Sequence, residues 1–330
     1  TGDLKGTALS VAKDIGWDIF DNQILTGQEL KNFSDDDLLK VLPSIKIFAR
    51  VTPEDKLRIG LLFRKLGEVV AMTGDGVNDA PSLKAMDIGV ALGSGSDVAK
   101  SAADLVLLDD NFQTISLAIQ EGRRILVNIR KTFVYLMSNS LDEVFVVAGS
   151  LIVGIPLPLT ALQIIWVNLF TGSLPALSFA YDEDFDKKEI KRNKLKKIFT
   201  REVNILTFGI GILSSVLLFV LYFSLVKFGV DIPVARSIFF VCFASYILVI
   251  SFSFRSLTKP LFSYPTFSNR KLNQSIIVAI LILVATMILP ITRNLFDLAP
   301  LPLSWFWLVA LWLILNVFLV ESAKFLFRKK

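Results

Sequence analysis

The chain contains no histidine and a single cysteine among its 330 residues. Without an imidazole, histidine-ligated zinc sites and histidine acid–base catalysis are excluded. Cys242 alone cannot form an intramolecular disulfide, and its place inside an apolar run reads as a small buried hydrophobe. No N-terminal signal peptide is visible in these residues. The formal net charge of +5 does not indicate nucleic acid, because the excess Lys and Arg lies beside long apolar runs. No nucleic-acid partner is expected.

What is present is unevenly spread. Residues 1–131 read as soluble α/β and residues 132–330 as membrane. Crossing roughly 30 Å of hydrocarbon takes about 20 helical residues. Six stretches reach that length, near 132–155, 157–180, 204–226, 237–254, 273–291 and 303–323. The first two form a hairpin broken at GIPLPL, where Pro156 and Pro158 end one helix and admit the next. The 181–202 connection carries Lys187, Lys188, Lys191, Arg192, Lys194, Lys196, Lys197 and Arg201. Arg255, Lys259, Arg270 and Lys271 lie in the 255–272 connection, and Lys324, Arg328, Lys329 and Lys330 in the tail. Only Lys227, Arg236 and Arg293 lie near the other side. The bias predicts an integral, multi-pass protein with the soluble portion and the C-terminus both cytoplasmic.

In the soluble portion apolar runs alternate with helical patterns. IKIFARV precedes TPEDKLRIGLLFRKL, EVVAMTGD precedes NDAPSLKAM, and IGVALG precedes SDVAKSA and then DLVLLDD. This rhythm predicts a parallel sheet with helices on both faces, and ligands at the carboxyl ends of its strands. Asp3 and Asp75 would sit there, with Lys56 near the start of a helix that follows another strand. In TGDGVNDAP the glycines permit a tight turn, Asp75 projects past the strand end and Asp79 lies near it. Two carboxylates so placed suit Mg²⁺, which takes one or two carboxylates together with phosphate oxygens and water. Lys56 would neutralise phosphate charge or pair with the acids. The same residues also read as a solvated turn with a helix cap, because Asn78 and Asp79 are good caps and Pro81 suits a first turn.

The run MTGDGVNDAPSLKAMDIGVALGSGSDVAKSAADLVLLDDNF strongly resembles the hinge segment of P-type ATPases, a family of the haloacid-dehalogenase superfamily. TGDLKGTALSVAKDIG, FARVTPEDKLRI and LQIIWVNLFTGSLPALSF extend the resemblance over essentially the whole chain. Six spans after the hinge look like the type II cation pumps, calcium pumps among them. The resemblance implies a partial haloacid-dehalogenase-like α/β sheet followed by six transmembrane helices. It implies Mg²⁺ as cofactor and ATP as the substrate of the full-length protein. By the same correspondence Thr1, Gly2 and Asp3 match a phosphate-contacting motif, and Lys56 the lysine that stabilises the transferred phosphoryl group. Asp75 matches the Mg²⁺ ligand, with Asn78 and Asp79 completing the hinge. The family's nucleophile lies in an Asp-Lys-Thr-Gly-Thr string, which does not occur in these residues. The chain is therefore expected to be the C-terminal part of a larger pump, partnered by a missing N-terminal part and unable to hydrolyse ATP alone.

Ionisable groups inside membrane spans are candidate functional sites. The first span carries Asp142 and Glu143, with Asn139 three and four residues earlier, so that it shares a helix face with either. On the second span Asn168, Thr171 and Gly172 cluster within a turn, and Gly172 and Pro175 would loosen the helix. Asn139, Asp142, Glu143, Asn168 and Thr171 are the expected ligands of a transported cation. The alternative for Asn168 and Thr171 is hydrogen bonding between helices. Relative to calcium pumps, Ser140 stands where Asn is usual, Asp142 where a small residue is common, and Gly172 where an ion-bridging aspartate is found. Adjacent helical residues point about 100° apart, so Asp142 does not simply replace that lost charge. Ser245, Ser251 and Asn316 read as packing residues, and Glu321 as a partner of Lys324 or Arg328.

The expected organisation is a phosphorylation-domain part at 1–110, a helical stalk at 111–131 and a membrane domain at 132–330, with the lipid bilayer and the transported cation as partners. Two rival readings keep the fold: a non-catalytic membrane scaffold, and a membrane-tethered phosphatase.

Overall fold

The computed structural model describes residues 1–183 and 198–327. Lys187, Lys188, Lys191, Arg192, Lys194, Lys196, Lys197, Arg328, Lys329 and Lys330 lie outside the described residues. The chain divides into two compact units, Thr1–Ile119 and Gln120–Lys330.

The first unit is α/β with five short parallel strands. β1 (Ile24–Thr26) pairs with β2 (Ile47–Ala49), while β3 (Ala71–Gly74), β4 (Ile88–Leu92) and β5 (Leu105–Leu107) form a second sheet in that order. The strands that open the site thus belong to two parallel sheets. β1 was not anticipated, because three residues are too few to display a period. Its Ile24 and Leu25 are buried, Leu25 together with Leu30, Leu38, Leu42, Val51, Ile59 and Leu62.

Between β2 and β3 runs the helix Pro53–Lys65. Its start is set by local chemistry. Thr52 accepts from the Asp55 amide, Asp55 accepts from the Thr52 amide at 2.9 Å, and Pro53 takes a first-turn position where no amide donor is needed. Arg64 and Lys65 occupy the last turn, and Gly67 ends the helix at φ 82°, which only glycine adopts without strain. Thr52→Ala is expected to cost about 1 kcal/mol, seen as faster amide exchange in this first helical turn.

The second unit is helical and, among the described residues, contains six helices long and apolar enough to cross a membrane. They are Phe112–Val153, which begins in the first unit, Ala161–Tyr181, Arg201–Lys227, Ile232–Ser253, Arg270–Ile288 and Leu303–Phe325. The expected spans agree with them to within a few residues, apart from the long N-terminal extension of the first helix. The fifth ends earlier than expected, because Pro290 opens a separate short helix, Pro290–Leu295. The fourth span is the most buried; Phe239, Phe240, Cys242, Phe243, Tyr246 and Ile247 are all sealed from solvent. Among the described residues two spans contain π-helical segments. Residues Val167–Ser173 of the second and Ile205–Ile210 of the third are π-helical.

Polar contacts gather at the two ends of this bundle. At one end Arg236 donates to the Leu157 carbonyl and pairs with Asp297, and Gln163 donates to the Phe296 carbonyl. At the other end Asp182 is fully buried and accepts from Lys131 at 3.0 Å through one carboxylate oxygen. Its second oxygen accepts from Arg255 Nη2 at 2.6 Å and Nε at 2.9 Å. Both cations are likewise fully buried. Arg255 also donates to the carbonyls of Pro265 and Thr266, and Asn269 donates to the Ser178 carbonyl. One carboxylate therefore ties together the first span, the end of the second and the connection between the fourth and fifth. Nearby, Lys324 donates to the Ser253 carbonyl and pairs with Glu321, which accepts from the Leu261 amide.

Candidate functional site

In the first unit Lys56 and Asp79, 23 residues apart, are brought into contact. Lys56 lies in the capped first turn of its helix, and its Nζ reaches Asp79 Oδ1 at 3.1 Å. The other Asp79 oxygen accepts from the Gly76 amide at 3.3 Å. Asp79 is buried and spends its side chain on this turn and on Lys56, making no bond to the amides of the following helix Ala80–Ala85. The helix-cap reading of Asp79 is thus not what its geometry serves. Gly74 has a steric reason: a Cβ there would stand 2.5 Å from the Asp79 Cβ, so the strand end passes directly under the carboxylate.

Asp75, the next residue after β3, is exposed, and its backbone carbonyl accepts from the Ser96 amide at 2.8 Å. Its carboxylate faces outward at the carboxyl end of the strand. Asn78 is exposed in the same turn. Thr1, Gly2 and Asp3 are exposed as well and lie against the residues that follow β2, through the amides of Arg50 and Val51 donating to the Asp3 and Thr1 carbonyls. The Thr1 hydroxyl donates to Asp3 Oδ2 at 2.5 Å. The arrangement offers one free carboxylate, one lysine already held by a carboxylate, and small hydroxyl and glycine positions beside them. That set suits binding of a metal-complexed phosphoryl group.

In the second unit the first two spans meet through Glu143 and Asn168, whose side-chain amide donates to Glu143 Oε1 at 2.7 Å. Asn168 also donates to the Ile164 carbonyl, one turn back. Thr171 is fully buried; its hydroxyl donates to the Val167 carbonyl, and its own carbonyl accepts from Tyr135 at 2.5 Å. Asn139 is buried one turn from both Tyr135 and Glu143. Asn168, Thr171 and Gly172 all fall within the π-helical segment, a distortion that re-aims main-chain carbonyls and recurs at functional sites. A Cβ built on Gly172 meets nothing nearer than the Val167 carbonyl at 3.7 Å and Asn168 Oδ1 at 3.8 Å. Packing therefore does not demand glycine there.

Asp142 goes elsewhere. It accepts from the Ser215 hydroxyl of the third span at 2.6 Å, not from Asn168 or Thr171. The residues expected as one ligand set thus separate onto two faces of the first span, Glu143 toward the second span and Asp142 toward the third. Sequence reading missed the role of Asp182, Lys131 and Arg255. Asp182 opens a stretch rich in charge, and nothing in the pattern distinguishes this buried acid from the exposed ones.

Comparison with known proteins fits both units. Residues 156–326 match the family of cation-transporting ATPases at their C-terminus, and residues 63–119 match haloacid dehalogenase-like hydrolases. The chain is 39% identical to Calcium-transporting ATPase 1 of Bacillus cereus over 92% of its own length and 36% of that protein. It is 37% identical to Calcium-transporting ATPase 1 of Saccharomyces cerevisiae over 100% of its length and 35% of the relative. It is also 40% identical to the P-type sodium-transporting ATPase4 of Toxoplasma gondii, over 61% of this chain and 16% of that protein. The chain spans roughly a third of the length of the calcium-transporting relatives it matches. With the family match covering most of the six-helix unit, and the hydrolase match falling on the strands that carry Asp75 and Asp79, the chain belongs to the P-type cation-transporting ATPases.

Proposed function

We propose that this chain is the C-terminal part of an ATP-driven cation pump, in which it completes the Mg²⁺-dependent aspartyl-phosphate site and supplies half of the ion site. The observation that carries the reading is the Glu143–Asn168 hydrogen bond across two spans, set within a π-helical segment of a membrane bundle. A carboxylate, an amide oxygen and re-aimed carbonyls are oxygen donors suited to a hard or alkali cation. The two relatives named above for calcium favour calcium. Gly172 and Ser140 depart from calcium-pump positions, and another relative is named for sodium, so the cargo is calcium or another cation.

In the phosphorylation site Asp75 would hold Mg²⁺, since its carboxylate is exposed at a strand end while Asp79 is already neutralised by Lys56. When bound, the ion shields phosphate charge during an in-line phosphoryl transfer. Lys56, Thr1 and Gly2 orient the phosphoryl oxygens, Asp3 holds the Thr1 hydroxyl, and Asn78 with Asp79 keeps the turn in place. ATP is the substrate of the complete pump. This chain alone forms no phosphoenzyme, because the nucleophilic aspartate belongs to the N-terminal part. Residues 1–110 belong to the phosphorylation domain, 111–131 form the stalk and 132–330 the membrane domain. The phosphorylation domain and the C-terminus face the cytoplasm, the side favoured by the Lys- and Arg-rich connections.

Glu143→Gln in the full-length pump is expected to abolish ion-stimulated phosphoenzyme formation. The check is acid-stable phosphate incorporation across a panel of cations, and unchanged stimulation would remove Glu143 from the ion site.

A further inference from the structure

A second polar cluster lies on the other face of the first span. Asp142 is 1% exposed, and one of its oxygens, Oδ2, has no hydrogen-bond partner. Ser138, one turn earlier on the same face, is buried with its hydroxyl also unpartnered. Both line a narrow internal cavity, with about 10 Å³ of room for the centre of a water-sized sphere. Gly211, Ser214, Tyr246 and Asn316 contribute to its walls, so the cavity is walled by the first, third, fourth and sixth spans. Ser214 donates to Asn316 Oδ1 at 2.6 Å, and Asn316 donates in turn to the Trp312 carbonyl. Gly211 lets the third span approach closely, because a Cβ there would already stand 3.3 Å from the Ser138 hydroxyl oxygen. The approach follows directly on the π-helical segment Ile205–Ile210.

The volume is that of one water-sized guest. Its lining is largely apolar, with Leu206, Ile210, Ile250, Phe254 and Val320, and its polar groups are one carboxylate and the neutral side chains of Ser138, Ser214, Tyr246 and Asn316. Among the described residues no cationic side chain pairs with Asp142. A lone carboxylate sealed among membrane helices is costly unless it is matched by one positive charge. A divalent ion would overcompensate it, and Glu143 is turned to the opposite neighbour. The geometry points to a monovalent-cation site between the first, third and sixth spans, held by Asp142 Oδ2, the Ser138 hydroxyl and the Ser214–Asn316 pair. This site is separate from the Glu143–Asn168 contact and does not rest on that pair's assignment to the transported ion. It also gives Asn316, expected only to pack, a polar task.

The test is equilibrium binding of radiolabelled sodium to the full-length pump in lipid nanodiscs. Choline replaces sodium to hold ionic strength constant, and the thermal unfolding midpoint is recorded alongside. The wild type is expected to bind about one sodium per chain saturably, with a midpoint that rises as sodium replaces choline. Asp142→Asn is expected to weaken binding by roughly tenfold or more, and to remove the sodium-dependent rise. Ser245→Ala, on the fourth span and outside the cavity lining, keeps both. Ser138→Ala retains the charge and removes one ligand, so it should weaken binding at an unchanged midpoint in choline. This arm carries the test if Asp142→Asn does not fold. Absence of saturable sodium binding to the wild type would overturn the site, leaving the cavity to water or Asp142 to a proton. Loss of binding in Glu143→Gln with retention in Asp142→Asn would overturn it too, by moving the ion to the other face. Unaltered affinity in Ser138→Ala would overturn the ligand set.

Discussion

Asp182→Asn is expected to lower the stability of the membrane unit by about 3–5 kcal/mol, because it leaves two buried cations without their shared counter-charge. The carboxylate is divided between its partners, Oδ2 to Lys131 and Oδ1 to Arg255, and none of the three side chains reaches solvent. Taking charges out of water is costly, and here the cost is offset by close pairing and by the carbonyls that also receive Arg255. The amide of Asn keeps the volume but donates where it should accept. Lys131→Met should cost less, since Asp182 would still be neutralised by Arg255. The measurement is the denaturation midpoint of the detergent-solubilised protein at low and high salt. Salt should hardly change the difference, because buried pairs are poorly screened. An unaltered midpoint in Asp182→Asn would show that the cluster contributes nothing to holding the spans together.

Asp75→Asn should reduce Mg²⁺-dependent phosphorylation of the full-length pump on the order of a hundredfold, while leaving its unfolding midpoint unchanged. The two halves of that expectation come from the same fact. Asp75 is exposed at the end of β3, and its fold contact runs through its backbone carbonyl to the Ser96 amide. Losing the carboxylate charge therefore removes the proposed Mg²⁺ ligand without removing that backbone contact. Asp79→Asn differs, because Asp79 is buried and holds Lys56, so both activity and the midpoint should fall. Phosphate trapped by acid quench at graded Mg²⁺, beside a melting curve, separates the two. Wild-type phosphoenzyme in Asp75→Asn would refute its role.

The six spans were legible because hydropathy over about 20 residues is a collective signal, tolerant of any one residue. The pairing of Lys56 with the acids of the turn is one of two roles the sequence leaves open for it, since both fall near the strand ends where α/β sheets place ligands. Other features were hidden for distinct reasons. β1 has only three residues and takes its identity from β2 alongside it. The π-helical segment at 205–210 contains no proline, and its Gly209 alone does not mark the change of pitch. Asp142 and Glu143 are neighbours in sequence, so only the position of the surrounding spans decides which faces Asn168 and which faces Ser215. Asp182 precedes a run of acids and bases, and burial is a tertiary property that such a run does not encode.

The open space beside Gly172 bears on how this family changes cargo. No neighbouring helix needs to yield for a β-carbon at that position, because the nearest atoms belong to its own turn. A charged ligand could be gained or lost there through a single codon while the bundle stays as it is. On the proposed reading of the ion site, selectivity for an ion is inherited separately from the scaffold that carries it.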